Sequence, residues 1–213
     1  MKQILDTDIY GITGEEFSMG RDNLTIAELM IKSGIRIIQY REKEKHMGER
    51  YRECLAIREM TAKAGVTFIV NDHVDLALAV SADGIHVGQE DLPIEAIRRV
   101  TGGKMIVGLS THSPEQARQA VADGADYIGV GPIFSTTTKK DVVDPVGFDY
   151  LDFVVKNIPI PFVAIGGIKE HNAGDLVRRG ASCLAMITEI VGADDMVKKV
   201  ENIRNSMKKG MRP

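Results

Sequence analysis

The chain has 213 residues, 44% of them hydrophobic and 27% charged, which excludes a disordered or fibrous polymer and fits one globular domain with a sizeable core. Thirty acidic residues against 27 basic ones leave a net charge of −3, so no bulk basic field points to nucleic acid or an anionic membrane surface. Two cysteines, Cys54 and Cys183, lie far apart in apolar contexts and read as reduced, buried thiols rather than a disulfide framework.

The opening MKQILDTDIYG carries no apolar h-region of a signal peptide, and no apolar run approaches a membrane-spanning length. The expected location is the cytoplasm. From there, short Ile- and Val-rich runs alternate with amphipathic stretches. The runs are 9–13, 35–41, 67–71, 84–88, 105–110, 127–131, 161–166 and 182–188. Each is continuous in polarity rather than alternating, as strands buried on both faces of a parallel sheet are. Helical patterns fill the gaps at 25–33, 50–64, 72–80, 93–100, 113–123, 148–156, 170–179 and 194–208. Ser113-Pro114-Glu115 reads as an N-cap followed by proline at the first helical position. Gly34, Gly65, Gly124 and Gly180 each follow a helix and precede a strand, the place of a left-handed C-terminal residue.

Eight strand signals, each followed by a helix signal, predict a single (β/α)8 TIM barrel spanning 1–213 at near-minimal length. An open doubly wound sheet is the second reading, disfavoured because no Gly-rich dinucleotide fingerprint follows the first strand. The tail from Lys208 to Pro213 is expected to fray.

A barrel gathers the C-terminal ends of its strands on one functional face, so those positions are the candidate site. Strand two ends in Gln39-Tyr40-Arg41-Glu42-Lys43, and period two puts Gln39, Arg41 and Lys43 on one side, an amide and two cations for an anionic ligand. Strand three ends in Asn71-Asp72, and strand four runs into Gly88-Gln89-Glu90-Asp91. Asp72 and Asp91 can be read as helix caps. As a pair on adjacent strand ends beside cations, they also suit Mg2+, which takes one or two carboxylates plus phosphate oxygens. Strand five ends with Ser110, whose hydroxyl is expected in the mouth, and His112 is either a base candidate or a polar residue before a cap. After strand six comes Ser135-Thr136-Thr137-Thr138-Lys139-Lys140-Asp141, a run of hydroxyls and ammonium groups that reads as a lid over a phosphate-rich ligand. Strand seven ends in Gly166-Gly167, which lets backbone N–H groups approach an anion, and strand eight ends near Thr188. The rim thus offers a diphosphate site near strands two to four and six, and a monophosphate site near strands seven and eight. His46, His73, His86 and His171 show no ligand-like spacing and are expected to be incidental.

The segments QYREK (39–43), VND (70–72), DGIHVGQEDLP (83–93), GLSTHS (108–113), GADYIGVGPIFSTTTKKD (124–141) and AIGGI (164–168) together resemble the thiamine-phosphate synthase family. The resemblance runs in order over nearly the whole chain. It implies a transferase that couples hydroxymethylpyrimidine diphosphate to hydroxyethylthiazole phosphate, giving thiamine phosphate and diphosphate. It further implies Mg2+ at Asp72 and Asp91, with Arg41, Lys43, Asn71 and Lys139 on the diphosphate. Gln39 and Ser110 would lie at the pyrimidine, Thr136 and Thr138 would bind from the loop, and Gly167, Thr188 and Ile190 would hold the thiazole phosphate. Arg41, Lys43, Lys139 and Ser110 are the residues implied for catalysis. Strand eight departs from the family pattern: Glu189 brings a carboxylate near a phosphate site and is expected to point away. The partners implied are small molecules, with no nucleic acid or membrane, and a homo-oligomer stays open. A related barrel, a thiazole tautomerase using a base such as His112, would need neither the acid pair nor the diphosphate cations. A non-catalytic thiamine-phosphate-binding regulator is the third reading.

Overall fold

A computed structural model of the chain describes residues 5–136, 138 and 143–211. The strands are β1 (Ile9–Ile12), β2 (Ile37–Tyr40), β3 (Thr67–Asn71), β4 (Gly84–Val87), β5 (Ile106–Thr111), β6 (Tyr127–Val130), β7 (Phe162–Ile165) and β8 (Leu184–Met186). All neighbours pair in parallel, and β1 pairs with β8 as well as with β2, so the sheet closes on itself. That closure excludes the open doubly wound sheet. The helices are α1 (Asn23–Lys32), α2 (Met47–Ala64), α3 (Val74–Ala79), α4 (Ile94–Thr101), α5 (Pro114–Ala122), α6 (Gly147–Asn157), α7 (Ala173–Arg178), α8 (Thr188–Val191) and α9 (Met196–Gly210).

Local chemistry explains the helix ends. Asp22, Ser113 and Asp195 each accept the backbone N–H three residues on, capping α1, α5 and α9. Gly34, Gly65, Gly124 and Gly180 all have positive φ, as expected for residues that stop a helix and turn the chain into the next strand. The frayed tail is corrected in part: α9 stays helical to Gly210, because Gly210 lies against Gly174 of α7 so closely that no Cβ would fit. Strand eight is shorter than the apolar run suggested, ending at Met186, with α8 beginning at Thr188.

Between sheet and helices the core is a continuous cluster of Ile, Val, Leu and Ala with Tyr40, Phe68 and Tyr150. Cys54 and Cys183 are buried, free thiols, and burial pushes both well above the ordinary thiol range. No helix among the described residues is long and apolar enough to cross a membrane.

Candidate active site

Period two along the strands decides what faces the barrel axis. Tyr10 and Ile12 on β1, Gln39 on β2 with Arg41 just beyond it, Asn71 on β3, His86 on β4 and Ser110 on β5 all line one cavity. Tyr127 and Gly129 on β6, Val163 and Ile165 on β7 and Ala185 on β8 complete its wall. The cavity has a volume of about 490 Å3 and lies at the C-terminal ends of the strands, the functional face of this fold.

Its floor is a polar chain that crosses five strands. The Gln39 amide Nε2 donates to the Tyr10 hydroxyl at 3.0 Å, and Tyr10 and Tyr127 share a 2.7 Å hydrogen bond. Tyr127 lies 3.0 Å from His86 Nδ1, and His86 Nε2 lies 2.9 Å from Ser110 Oγ. Burial pushes both phenols far up, so each stays neutral and can donate. One proton arrangement gives each of these four contacts a donor and an acceptor. Gln39 donates to Tyr10, Tyr10 to Tyr127, Tyr127 to His86 Nδ1, and His86 Nε2–H to Ser110. The Ser110 proton is then left for a ligand. Gly108 makes this possible: a Cβ there would lie 2.1 Å from the Tyr127 ring and 2.5 Å from His86 Nδ1. His86 is therefore a cavity residue, which corrects its reading as incidental. Period two from Gly88 back through His86 to Gly84 carried that signal, as did a lone tyrosine in the Gly/Ile/Val strand β6.

Above the floor, Arg41 is 93% removed from solvent, being 7% exposed. Burial lowers its pKa, opposed by attraction to Asp72, Glu16 and Glu42, and a guanidinium stays a cation at neutral pH. Lys43 is half-exposed beside it, its ammonium 3.8 Å from Asp72. Asp72 holds a left-handed backbone at φ 62°, uncommon for a residue with a side chain and a mark of constrained sites. The capping reading of Asp72 fails, since the N-cap of α3 is His73 and makes no side-chain cap bond. Asp91 does not cap α4 either, whose N-cap is Pro93; its Oδ2 accepts the Gly88 N–H at 2.7 Å. Neither carboxylate lines the cavity itself; both stand on the segments that follow adjacent strands β3 and β4. Among the described residues no three His, Cys, Asp or Glu side chains converge into a metal cage. Two hard oxygen donors of this kind fit Mg2+, which completes its shell with substrate oxygens and water.

On the opposite wall, Gly166 and Gly167 take positive φ, 99° and 62°, and any Cβ on them would strike Pro132 or the Phe134–Ser135 backbone within 2.3–2.7 Å. The two loops interlock there: Ile133 N–H donates to the Ile165 carbonyl and Phe134 N–H to that of Gly166. Gly167, Ile187 and Thr188 line the cavity. Ile190 does not; it is fully buried in the core cluster. Glu189 does not line the cavity; its carboxylate pairs with Lys169, which does, and with Lys199. From the loop after β6, Ser135, Thr136 and Thr138 line the cavity, with the two threonine hydroxyls 3.1 Å apart. Lys139, with Thr137, Lys140 and Asp141, lies outside the described residues. His112 also lines the cavity, its Nδ1 against the Gly131 carbonyl.

The site thus has a polar floor, a cationic and acidic side at β2–β4, and a glycine-and-hydroxyl side at β7–β8. Comparison with known proteins finds relatives that match over nearly the whole chain. The family model described as thiamine monophosphate synthase matches residues 9–190. A thiamine-phosphate synthase of Pelotomaculum thermopropionicum is 64% identical over 201 residues, covering 94% of this chain and 92% of that protein. One from Caldicellulosiruptor saccharolyticus is 50% identical, covering 94% and 91%. Among solved structures, the thiamine phosphate pyrophosphorylase from Pyrococcus furiosus superposes with a TM-score of 0.87 at 32% identity, covering 97% of this chain and 98% of that one.

Proposed function

The chain belongs to the thiamine monophosphate synthase family, and from that premise we propose that it joins hydroxymethylpyrimidine diphosphate to hydroxyethylthiazole phosphate, releasing thiamine phosphate and diphosphate. As a member of that family it is a transferase. The observation that carries the reading is the convergence of Gln39, Arg41, Asn71, Ser110, Thr136, Thr138, Gly167 and Thr188 on one cavity. That cavity offers the buried Arg41 guanidinium at one side and glycine backbone with hydroxyls at the other, one for each phosphorylated end of the pair of substrates.

In this reading the Gln39–Tyr10–Tyr127–His86–Ser110 chain takes the pyrimidine, its hydrogen bonds fixing the ring's rotation. Arg41, Lys43 and Asn71, with Lys139, take the diphosphate. The bond from the pyrimidine methylene carbon to the diphosphate oxygen breaks, and its electron pair leaves with the diphosphate. The electron-rich ring spreads the resulting positive charge. The thiazole nitrogen lone pair then forms the new C–N bond. Charge develops on the leaving group, so a buried guanidinium aimed there supplies stabilisation that grows toward the transition state. Asp72 and Asp91 would hold Mg2+, which when bound would neutralise the diphosphate and improve it as a leaving group. Mostly apolar walls at Ile12, Val163, Ile165 and Ile187 keep water from competing for the carbon. Charged phosphorylated substrates are retained inside cells, and the two free thiols fit a reducing compartment, so we read the reaction as cytoplasmic.

The test is to supply both precursors with Mg2+ and follow products by chromatography. The expected result is thiamine phosphate that forms only when both precursors are present. Isomerisation of the thiazole phosphate alone, without coupling, would favour the tautomerase reading and overturn this one.

A further inference from the structure

Resting on the synthase reading for the identity of the ligand, we propose that Lys169 is a ligand of the thiazole phosphate, held at rest by Glu189 and handed to the phosphomonoester when it binds. Lys169 directly follows the Gly166–Ile168 turn after β7 and lines the cavity beside Gly167, Ile187 and Thr188. Its Nζ is 3.3 Å from the Glu189 carboxylate and 3.5 Å from Thr188 Oγ1, so the ammonium already stands next to a hydroxyl of the monophosphate side. The side chain is 40% exposed, which leaves its long stem room to pivot.

Glu189 is built to release it. Its side chain is only 15% exposed, yet it has three partners: Lys169, the Lys199 ammonium at 3.5 Å and the Glu170 N–H at 3.1 Å. When Lys169 turns to a phosphate dianion, Lys199 and the Glu170 amide stay on the carboxylate, so no buried charge is orphaned. Lys199 is in turn kept in place by Glu170 at 3.0 Å. The carboxylate also sets a threshold. A neutral ligand gives Lys169 nothing to exchange for Glu189, whereas a phosphate dianion offers more charge and more acceptor oxygens. Without Lys169, the β7–β8 side would, among the described residues, present a dianion with uncharged donors and a carboxylate close behind them.

The experiment compares hydroxyethylthiazole phosphate with its dephosphorylated alcohol, in coupling assays and by calorimetric binding, which needs no turnover. Lys169→Ala is expected to raise KM and Kd for the phosphate about ten- to hundredfold, the scale of one charge-assisted hydrogen bond. The value for the alcohol and kcat at saturation should stay within a few-fold. Lys169→Arg should recover most of the loss, and Glu189→Gln should tighten the phosphate several-fold by freeing the ammonium. Equal losses for phosphate and alcohol, or none for the phosphate, would overturn the proposal while leaving the synthase reading intact. A parent protein that never couples the precursors, yet loses phosphate binding on Lys169→Ala, would overturn the synthase reading and leave the anion ligand standing.

Discussion

Neither Asp72 nor Asp91 is the N-cap of the helix that follows it. Asp72 is held left-handed at φ 62° with Lys43 at 3.8 Å, and Asp91 spends one oxygen on the Gly88 N–H. Asparagine keeps both shapes, and its side-chain oxygen can still accept from Gly88, but the negative charge is gone. Asp72→Asn and Asp91→Asn should therefore fold normally and each lose on the order of a hundredfold or more in turnover, without rescue at ordinary Mg2+ concentrations. Wild-type rates in either variant would remove the metal assignment. Glu189 makes a prediction about pH. Burial opposes its charge, but the Glu170 N–H, Lys169 and Lys199 outweigh that and hold the carboxyl below its usual value. A depressed folded pKa gives stability that is complete above 4.5 and is lost as pH falls through the folded value. Denaturant titrations below pH 4.5 should show a shallower acid decline for Glu189→Gln than for the parent.

At the level of elements, the barrel has a stability face opposite its cavity. Asp83, just before β4, accepts the Phe68 N–H of β3 at 2.8 Å and Arg58 of α2 at 2.9 Å. Asp126, just before β6, repeats the device with the Val107 N–H of β5 and Arg98 of α4, both at 2.7 Å. Each aspartate ties the start of one strand to its neighbour and to the helix that precedes that neighbour. Asp126→Ala leaves Val107 N–H and Arg98 without this acceptor, and should cost about 1–3 kcal/mol in denaturant unfolding. Turnover per folded molecule should stay within a few-fold, since the change lies on the face away from the cavity. A large loss of turnover with unchanged stability would contradict this division of labour.

Strand and helix positions were legible in the sequence because continuous Ile/Val runs mark the strands and Gly34, Gly65, Gly124 and Gly180 mark four of the helix ends. Arg41, Asn71, Ser110 and Thr188 were legible as cavity residues because each stands near the point where an apolar run stops, and Gln39 because period two puts it on the same side as Arg41. The middle of the floor was not. Tyr10, His86 and Tyr127 sit inside runs, where a polar residue is indistinguishable from a satisfied core residue until the register is known. Ile190, which the family resemblance alone implied, lies in the core because α8 begins at Thr188 and buries it there. The Asp83 and Asp126 clamps join residues 15–28 positions apart, and no local pattern announces them.

At the scale of the whole molecule, closure of β1 on β8 gives the cavity its opposing walls. It sets Arg41, after β2, across from the glycines after β7, the arrangement on which the proposed coupling of two phosphorylated substrates rests. The central claim is that this cavity joins them with loss of diphosphate. Phosphorus NMR of the protein with both precursors and Mg2+ tests it most directly. The account predicts that pyrimidine diphosphate disappears while thiamine phosphate and free diphosphate appear in equal amounts, with no change when the thiazole phosphate is left out. Diphosphate released at the same rate without the thiazole phosphate, or precursors that persist unchanged, would contradict it.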